Sequence, residues 1–265
     1  MPSISDLLLA LLMSAAAGLV GSIAVMRRMS LASDALSHVA LPGIALAMIL
    51  HFNPILGGFV ALIGGTLIVW ALERSTRIPT EAVIGVLFSA ALAVGSLLAS
   101  GEDLLEALLG VPRSMGPVDT LFGLVAAALV IAFMVRARSR LIIRLVSPDL
   151  VSTLGVNVAK LDLLFLMAFA LTVALGLRYL GVLLMGSLVI IPGTTGMYLG
   201  RSLRSMQLAA VATAVGSTLV GTLIATQIKI AVGPTVISVA AAVFLFSLLA
   251  RRRGKRAVRV SAGGR

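Results

Sequence analysis

Apolar residues in this chain come in runs of about 20, and the runs recur from one end to the other. A helix of that length crosses the hydrocarbon of a bilayer, so the pattern predicts an all-α, polytopic transmembrane bundle. The runs fall at 6–26, 30–51, 55–73, 80–100, 117–135, 160–177, 180–199, 206–227 and 234–250, which makes about nine spans. The count is eight or nine, depending on whether "LRYLGVLL" (177–184) is a tight turn between two spans or a re-entrant break. The first run reads as a span rather than a removed signal peptide: only Asp6 precedes most of it, with no basic n-region and no evident cleavage site.

Polar positions punctuate the runs in three places. "GEDLLEALLGVPRSM" (101–115) is acidic and amphipathic, and reads as a helix on the membrane surface or as an ordinary loop. "SPDLVSTLGVNVAK" (147–160) has the marks of a short helix. Ser147 suits the N-cap, Pro148 the first helical position and Asp149 the positive end of the dipole, with Gly155 as the stop. Leu150, Val151 and Leu154 form one apolar face, fit to dock a partner or to pack under the bundle. The third piece, 251–265, is a basic tail, expected to be disordered and drawn to anionic lipid. The organisation is thus one membrane domain over 1–250 followed by that tail.

Composition agrees: 60% of residues are hydrophobic and 12% charged, against about 25% charged in soluble domains. The absence of cysteine excludes disulfides and zinc-thiolate sites. The net charge of +11 could point to nucleic acid, but its placement does not. With loops assigned alternately to the two faces, 18 of the 21 Lys and Arg fall on one face, and only Arg113, Arg178 and Lys229 on the other. That asymmetry is the positive-inside signature, so the N-terminus is expected outside and the C-terminus in the cytoplasm.

Against this apolar background "SDALSHVALPG" (33–43) is unusual. Asp34 and His38 are one turn apart on one helical face, which continues through Ser37, Leu41, Ala45 and Met48. A carboxylate near hydrocarbon costs at least about 2.5 kcal/mol and usually faces a partner or an aqueous path. Pro42 cannot donate to the carbonyl of His38, so an oxygen is freed beside the pair. Carboxylate, imidazole and carbonyl together suit a divalent transition metal, and a second copy of the chain across a symmetry axis would double the set. Two other readings stay open: an Asp–His hydrogen bond locking helices together, and a proton relay. Ser37 and Pro42 would then line a pathway, and Met48 would serve as a hydrophobic gate or fill core.

Pro192 and Gly193 in "LLMGSLVIIPGTTG" (183–196) predict a break in a second span. The small-residue spacings Gly196-x-x-x-Gly200 and Ser217-x-x-x-Gly221 read as helix packing. His51, Asn53 and Pro54 mark the outer end of the second span. There is no phosphate-binding G-x-x-x-x-G-K-[ST] loop, so any ATPase driving this chain is a separate protein, and nothing suggests an enzyme.

Four segments resemble the membrane permeases of bacterial metal-import ABC transporters, the zinc/manganese/iron group. They are "LASDALSHVALPGIALA" (31–47), "GVLLMGSLVIIPGTTGMYLGRSLRSM" (181–206), "GPTVISVAAAVFLFSLL" (233–249) and "SPDLVSTLGV" (147–156). The chain departs from the family in its Gly193–Gly196 run, commonly alanine-rich. The resemblance implies a homodimeric permease of the bacterial inner membrane, working with a cytosolic ABC ATPase subunit and an extracytoplasmic metal-binding protein. It implies that Asp34 and His38 lie on the route of Zn²⁺, Mn²⁺ or Fe²⁺, as transported ion rather than resident cofactor, with ATP on the partner. It also implies that Ser147, Pro148, Asp149, Leu150, Leu154 and Gly155 form the element that couples to the ATPase. The alternatives are a permease for a metal chelate such as a siderophore or cobalamin, an ATP-independent secondary transporter, and a structural membrane subunit.

Overall fold

A computed structural model describes residues 4–29, 32–76, 78–98, 116–147, 155, 157–180 and 182–262. Among them there is no strand. The helices are α1 (Ile4–Met26), α2 (Ala32–Ile49), α3 (Pro54–Ser75), α4 (Thr80–Leu98), α5 (Pro117–Val146), α6 (Val158–Leu180), α7 (Val182–Leu199), α8 (Leu203–Ile228) and α9 (Val232–Ala262). Eight are long and apolar enough to cross a membrane, and α7 contributes the shorter apolar stretch Met185–Leu199. The acidic piece at 101–115 lies outside the described residues.

Local chemistry sets the joints between helices. The Asn53 side chain accepts from the Ile55 N–H at 2.9 Å and Pro54 opens α3, as an N-cap and first helical position should. Ser202 and Ser205 cap each other at the start of α8. Between α1 and α2 the chain turns tightly: Arg28 adopts the left-handed conformation (φ 59°) and the Met29 N–H returns to the Ala24 carbonyl at 2.9 Å.

Two helices run further than the apolar pattern indicates. α5 has 30 residues, about 45 Å at 1.5 Å per residue, which exceeds the roughly 30 Å hydrocarbon core. Its excess is the stretch from Arg136 to Val146, where good helix formers continue the backbone and basic residues suit the negative helix end. α9 likewise runs through the basic tail to Ala262, where disorder was expected. Arg, Lys and Ala there favour helix, so the end of apolarity is not the end of the helix.

α1 is the hub of the bundle and packs on α5, α6, α7 and α8, with Ala16, Ala17, Val20 and Ile23 fully buried. α2 packs on α3, α4 and α7. Close approach is made by glycine. Gly21 of α1 meets the Val189 backbone of α7, and Gly43 of α2 meets the Gly57 backbone of α3, so a Cβ at either position would strike main chain. The expected break at Pro192–Gly193 is absent: α7 is one helix to Leu199. A Cβ on Gly193 would lie 2.6 Å from the Gly21 carbonyl, and Gly196 faces the Met206 backbone of α8. Packing of these small residues against two neighbours holds the helix through the proline, as happens where neighbours re-satisfy freed backbone groups. Large apolar residues cover the periphery, with Val60 67%, Val86 72% and Leu97 85% exposed. In water such a surface would be an association hazard; against lipid it is the expected skin.

Candidate functional site in the second helix

The first half of α2 is buried, and the polar residues that the sequence singles out lie within it. His38 and Ser37 are buried and Asp34 is half-buried. The Ser37 hydroxyl donates to the Asp34 carbonyl at 2.6 Å, and the Ser33 hydroxyl donates across to the Gly186 carbonyl of α7 at 3.3 Å. Gly186 is the floor beneath Asp34: a Cβ there would lie 2.9 Å from the Asp34 Cβ and 3.0 Å from its Cα. On the other side α4 contributes Phe88, whose ring meets the His38 imidazole edge-on, with centroids 5.2 Å apart and planes at 69°.

The imidazole Nδ1 is buried and has no hydrogen-bond partner. A buried polar atom without a partner is costly unless something else fills that role. A buried imidazole nitrogen with a carboxylate one turn away on the same helix is a donor pair that a divalent cation can use. Among the described residues, no group of three or more His, Cys, Asp or Glu is placed to hold a metal ion. One chain therefore offers this pair, plus carbonyl oxygen near Pro42.

The remaining expected residues scatter. α2 continues through Pro42, where Gly95 of α4 lies close: a Cβ on Gly95 would be 3.7 Å from the proline ring. Met48 is 40% exposed and about 15 Å further along α2 than His38 at helical rise, so it is apart from the pair. Gly193 packs against Gly21 of α1, and Pro192 is buried within α7. Ser147 ends α5, its N–H donating to the Ile143 carbonyl at 2.8 Å, and Gly155 is exposed with φ 69°, a conformation that favours glycine. Pro148, Asp149, Leu150 and Leu154 lie outside the described residues.

A second polar cluster, at the ends of α1, α3, α5 and α6, was not expected from the sequence. Asp162 is buried and accepts from Arg27 at 2.9 Å and from Arg144 at 3.3 Å. Arg27 also stands 3.9 Å from Glu73, to which Thr80 donates at 3.0 Å. A cleft of about 310 Å³ opens beside it, lined in part by Trp70, Arg74 and Ala159. The signal was present: a lone carboxylate opening an apolar run invites the same question as Asp34. Gly186 and Phe88 carried no comparable mark.

Comparison with known proteins places this geometry in context. The model of the ABC 3 transport family matches residues 4–251. The high-affinity zinc uptake system membrane protein ZnuB of Haemophilus influenzae is 30% identical over 244 residues, covering 88% of this chain and 92% of that protein. The manganese import system permease protein ScaB of Streptococcus gordonii is 27% identical, covering 91% of this chain and 88% of the relative. Among solved structures, PsaBC from Streptococcus pneumoniae in complex with Fab superposes with a TM-score of 0.76 at 26% identity, over 91% of this chain and 88% of that one.

Proposed function

We propose a function from one premise: the chain belongs to the ABC 3 transport family. It is a multi-pass membrane transport subunit and not an enzyme. On our reading it is the permease of an importer in the bacterial inner membrane, and its cargo is a divalent transition metal ion. Zn²⁺ and Mn²⁺ are the leading candidates, since the relatives are named for zinc uptake and manganese import; Fe²⁺ is the third. The observation that carries the reading is the pairing of half-buried Asp34 with buried His38 one turn on, whose Nδ1 has no hydrogen-bond partner. A chelate would arrive with its metal already ligated and would need no such pair.

The proposed mechanism follows from what the donor set can do. Two donors per chain hold an ion weakly, which a transport site requires, because an ion bound tightly cannot leave. A second copy of the chain supplies a second pair, so the site is complete only in a homodimer. Phe88 meets the imidazole edge-on and Gly186 lies against the Asp34 Cα and Cβ, so a small movement of α2 against α4 or α7 alters how the donors face one another. An extracytoplasmic binding protein delivers the ion on the face where the N-terminus emerges. A separate cytosolic ATPase, docked on residues 147–156, drives the alternation. Basic residues concentrate on that same cytoplasmic face.

The test is ATP-dependent accumulation of Zn²⁺ or Mn²⁺ in vesicles holding the permease with its ATPase and binding protein. Saturable uptake of one of these ions is expected. Uptake of a siderophore or cobalamin complex, with none of the free ions, would overturn the reading. Gly186→Val probes the floor of the site, because its side chain must displace Asp34. Uptake per permease present in the membrane should fall by roughly tenfold or more, in the range commanded by groups that orient a ligand. Wild-type uptake by this variant would remove Gly186 from the site.

A further inference from the structure

The ion cluster around Asp162 joins two parts of the molecule that the proposed cycle must connect. Asp162 sits in the opening turns of α6 and is 7% exposed. Its two oxygens are divided between two helices: Oδ1 accepts from Arg27 of α1 at 2.9 Å, and Oδ2 accepts from Arg144 of α5 at 3.3 Å. Arg144 is near the end of α5 and Asp162 near the start of α6, so this pair closes the base of the connection between those helices.

The other arm leads to the site. The Arg27 side chain is 10% exposed and lies over the Phe165 ring at 4.8 Å. Its backbone N–H is bonded to the Ile23 carbonyl at 2.9 Å, so the residue belongs rigidly to the end of α1. Arg28 is left-handed, Met29 bonds back to Ala24 at 2.9 Å, and the Ala32 N–H bonds to Met29 at 3.1 Å. α2 begins there, and Asp34 is in its first turn. A displacement of the α5–α6 ends therefore reaches Asp34 through two ion pairs and one short turn. Glu73, near Arg27 and packed with α3 along α2, keeps the neighbouring helix in step.

Apolar residues of similar size would hold these helix ends at least as firmly, because burying the ions costs their hydration. What the ions add is a directional tie with a defined register between helices. We infer that Asp162 is a positioning residue, which transmits movement of the adjoining ends of α5 and α6 to the end of α1 and so to the Asp34–His38 pair. The inference rests on the reading that the ATPase docks on residues 147–156.

The experiment uses the complete complex of permease, ATPase and binding protein in lipid vesicles, measuring ATP hydrolysed and Zn²⁺ or Mn²⁺ accumulated in the same sample. For Asp162→Asn, hydrolysis persists while metal accumulated per ATP falls by roughly tenfold, a factor ordinary for coupling between distant sites. Asp162→Glu keeps the charge and recovers most of the ratio. Arg144→Gln, which cuts only one arm, lowers the ratio in the same direction and serves if Asp162→Asn does not assemble. A wild-type ratio in Asp162→Asn overturns the inference. So does a parallel loss of hydrolysis and uptake in both variants while the ATPase stays bound, since that is what a purely structural role gives. A Leu150→Asp, Leu154→Asp variant tests the docking reading separately. If the ATPase still binds it, the docking reading has failed and the inference falls with it. If binding is lost there but the Asp162→Asn ratio is unchanged, only the inference fails.

Discussion

Cells carrying Asp34→Ala and His38→Ala together should take up metal at no more than about a hundredth of the wild-type rate. Loss of groups that merely orient a ligand costs about 10- to 100-fold in affinity, and here both side-chain donors go. The effect should be specific to transport. Alanine is a better helix former than either residue, Asp34 is only half-buried, and the His38 Nδ1 makes no hydrogen bond whose loss would destabilise the fold. The variant should therefore reach the membrane in normal amount and bind the ATPase. Two measurements check this: initial uptake of Zn²⁺ and Mn²⁺, and the quantity of detergent-solubilised complex. Normal uptake at native expression would take the pair off the route and leave a helix-locking role.

The largest effect on stability is expected at Gly43. Its Cα faces the Gly57 backbone where α2 and α3 cross, so the side chain of Gly43→Val meets a peptide group rather than a movable side chain. Overpacking usually costs about 1–3 kcal/mol; a side chain driven into main chain has fewer ways to relax, and upward of about 3 kcal/mol is expected. The readout is the fraction of solubilised protein that stays monodisperse on heating, which should collapse. Gly64→Ala in the neighbouring helix is the control. A Cβ there meets nothing within 4 Å, and alanine in place of a helical glycine is neutral to mildly stabilising. Equal behaviour of the two variants would mean that α2 and α3 do not touch backbone to backbone.

Much of the architecture was legible because membrane spans are written in apolar length. The runs at 6–26, 55–73 and 80–100 correspond to α1, α3 and α4 within a few residues. Where the reading fell short, apolar length and helix length were different quantities. α5 and α9 continue past their apolar stretches, because arginine, lysine and alanine favour helix even where apolarity ends. Pro192 misled for the opposite reason: local propensity argued for a break, and glycine contacts with α1 and α8 overrode it.

The candidate site was legible in its residue types and not in its walls. An aspartate and a histidine at helical spacing in an apolar run stand out as candidates. The residues that shape their surroundings come from far along the chain: Ser33 and its acceptor Gly186 are 153 positions apart. No periodicity in a single sequence reveals that a glycine is small because an aspartate lies against it. Asp162 falls between these cases, since a carboxylate opening an apolar run was visible but its two arginine partners were not.

The most direct test is the metal content of cells lacking this gene, grown under limitation of Mn, Fe or Zn, with the wild-type chain or the Asp34→Ala, His38→Ala double variant restored. A deficit in a single metal, repaired by wild type and not by the variant, is the expected result and names the cargo. Unchanged content of all three metals, or full repair by the variant, would contradict a divalent-metal route through Asp34 and His38.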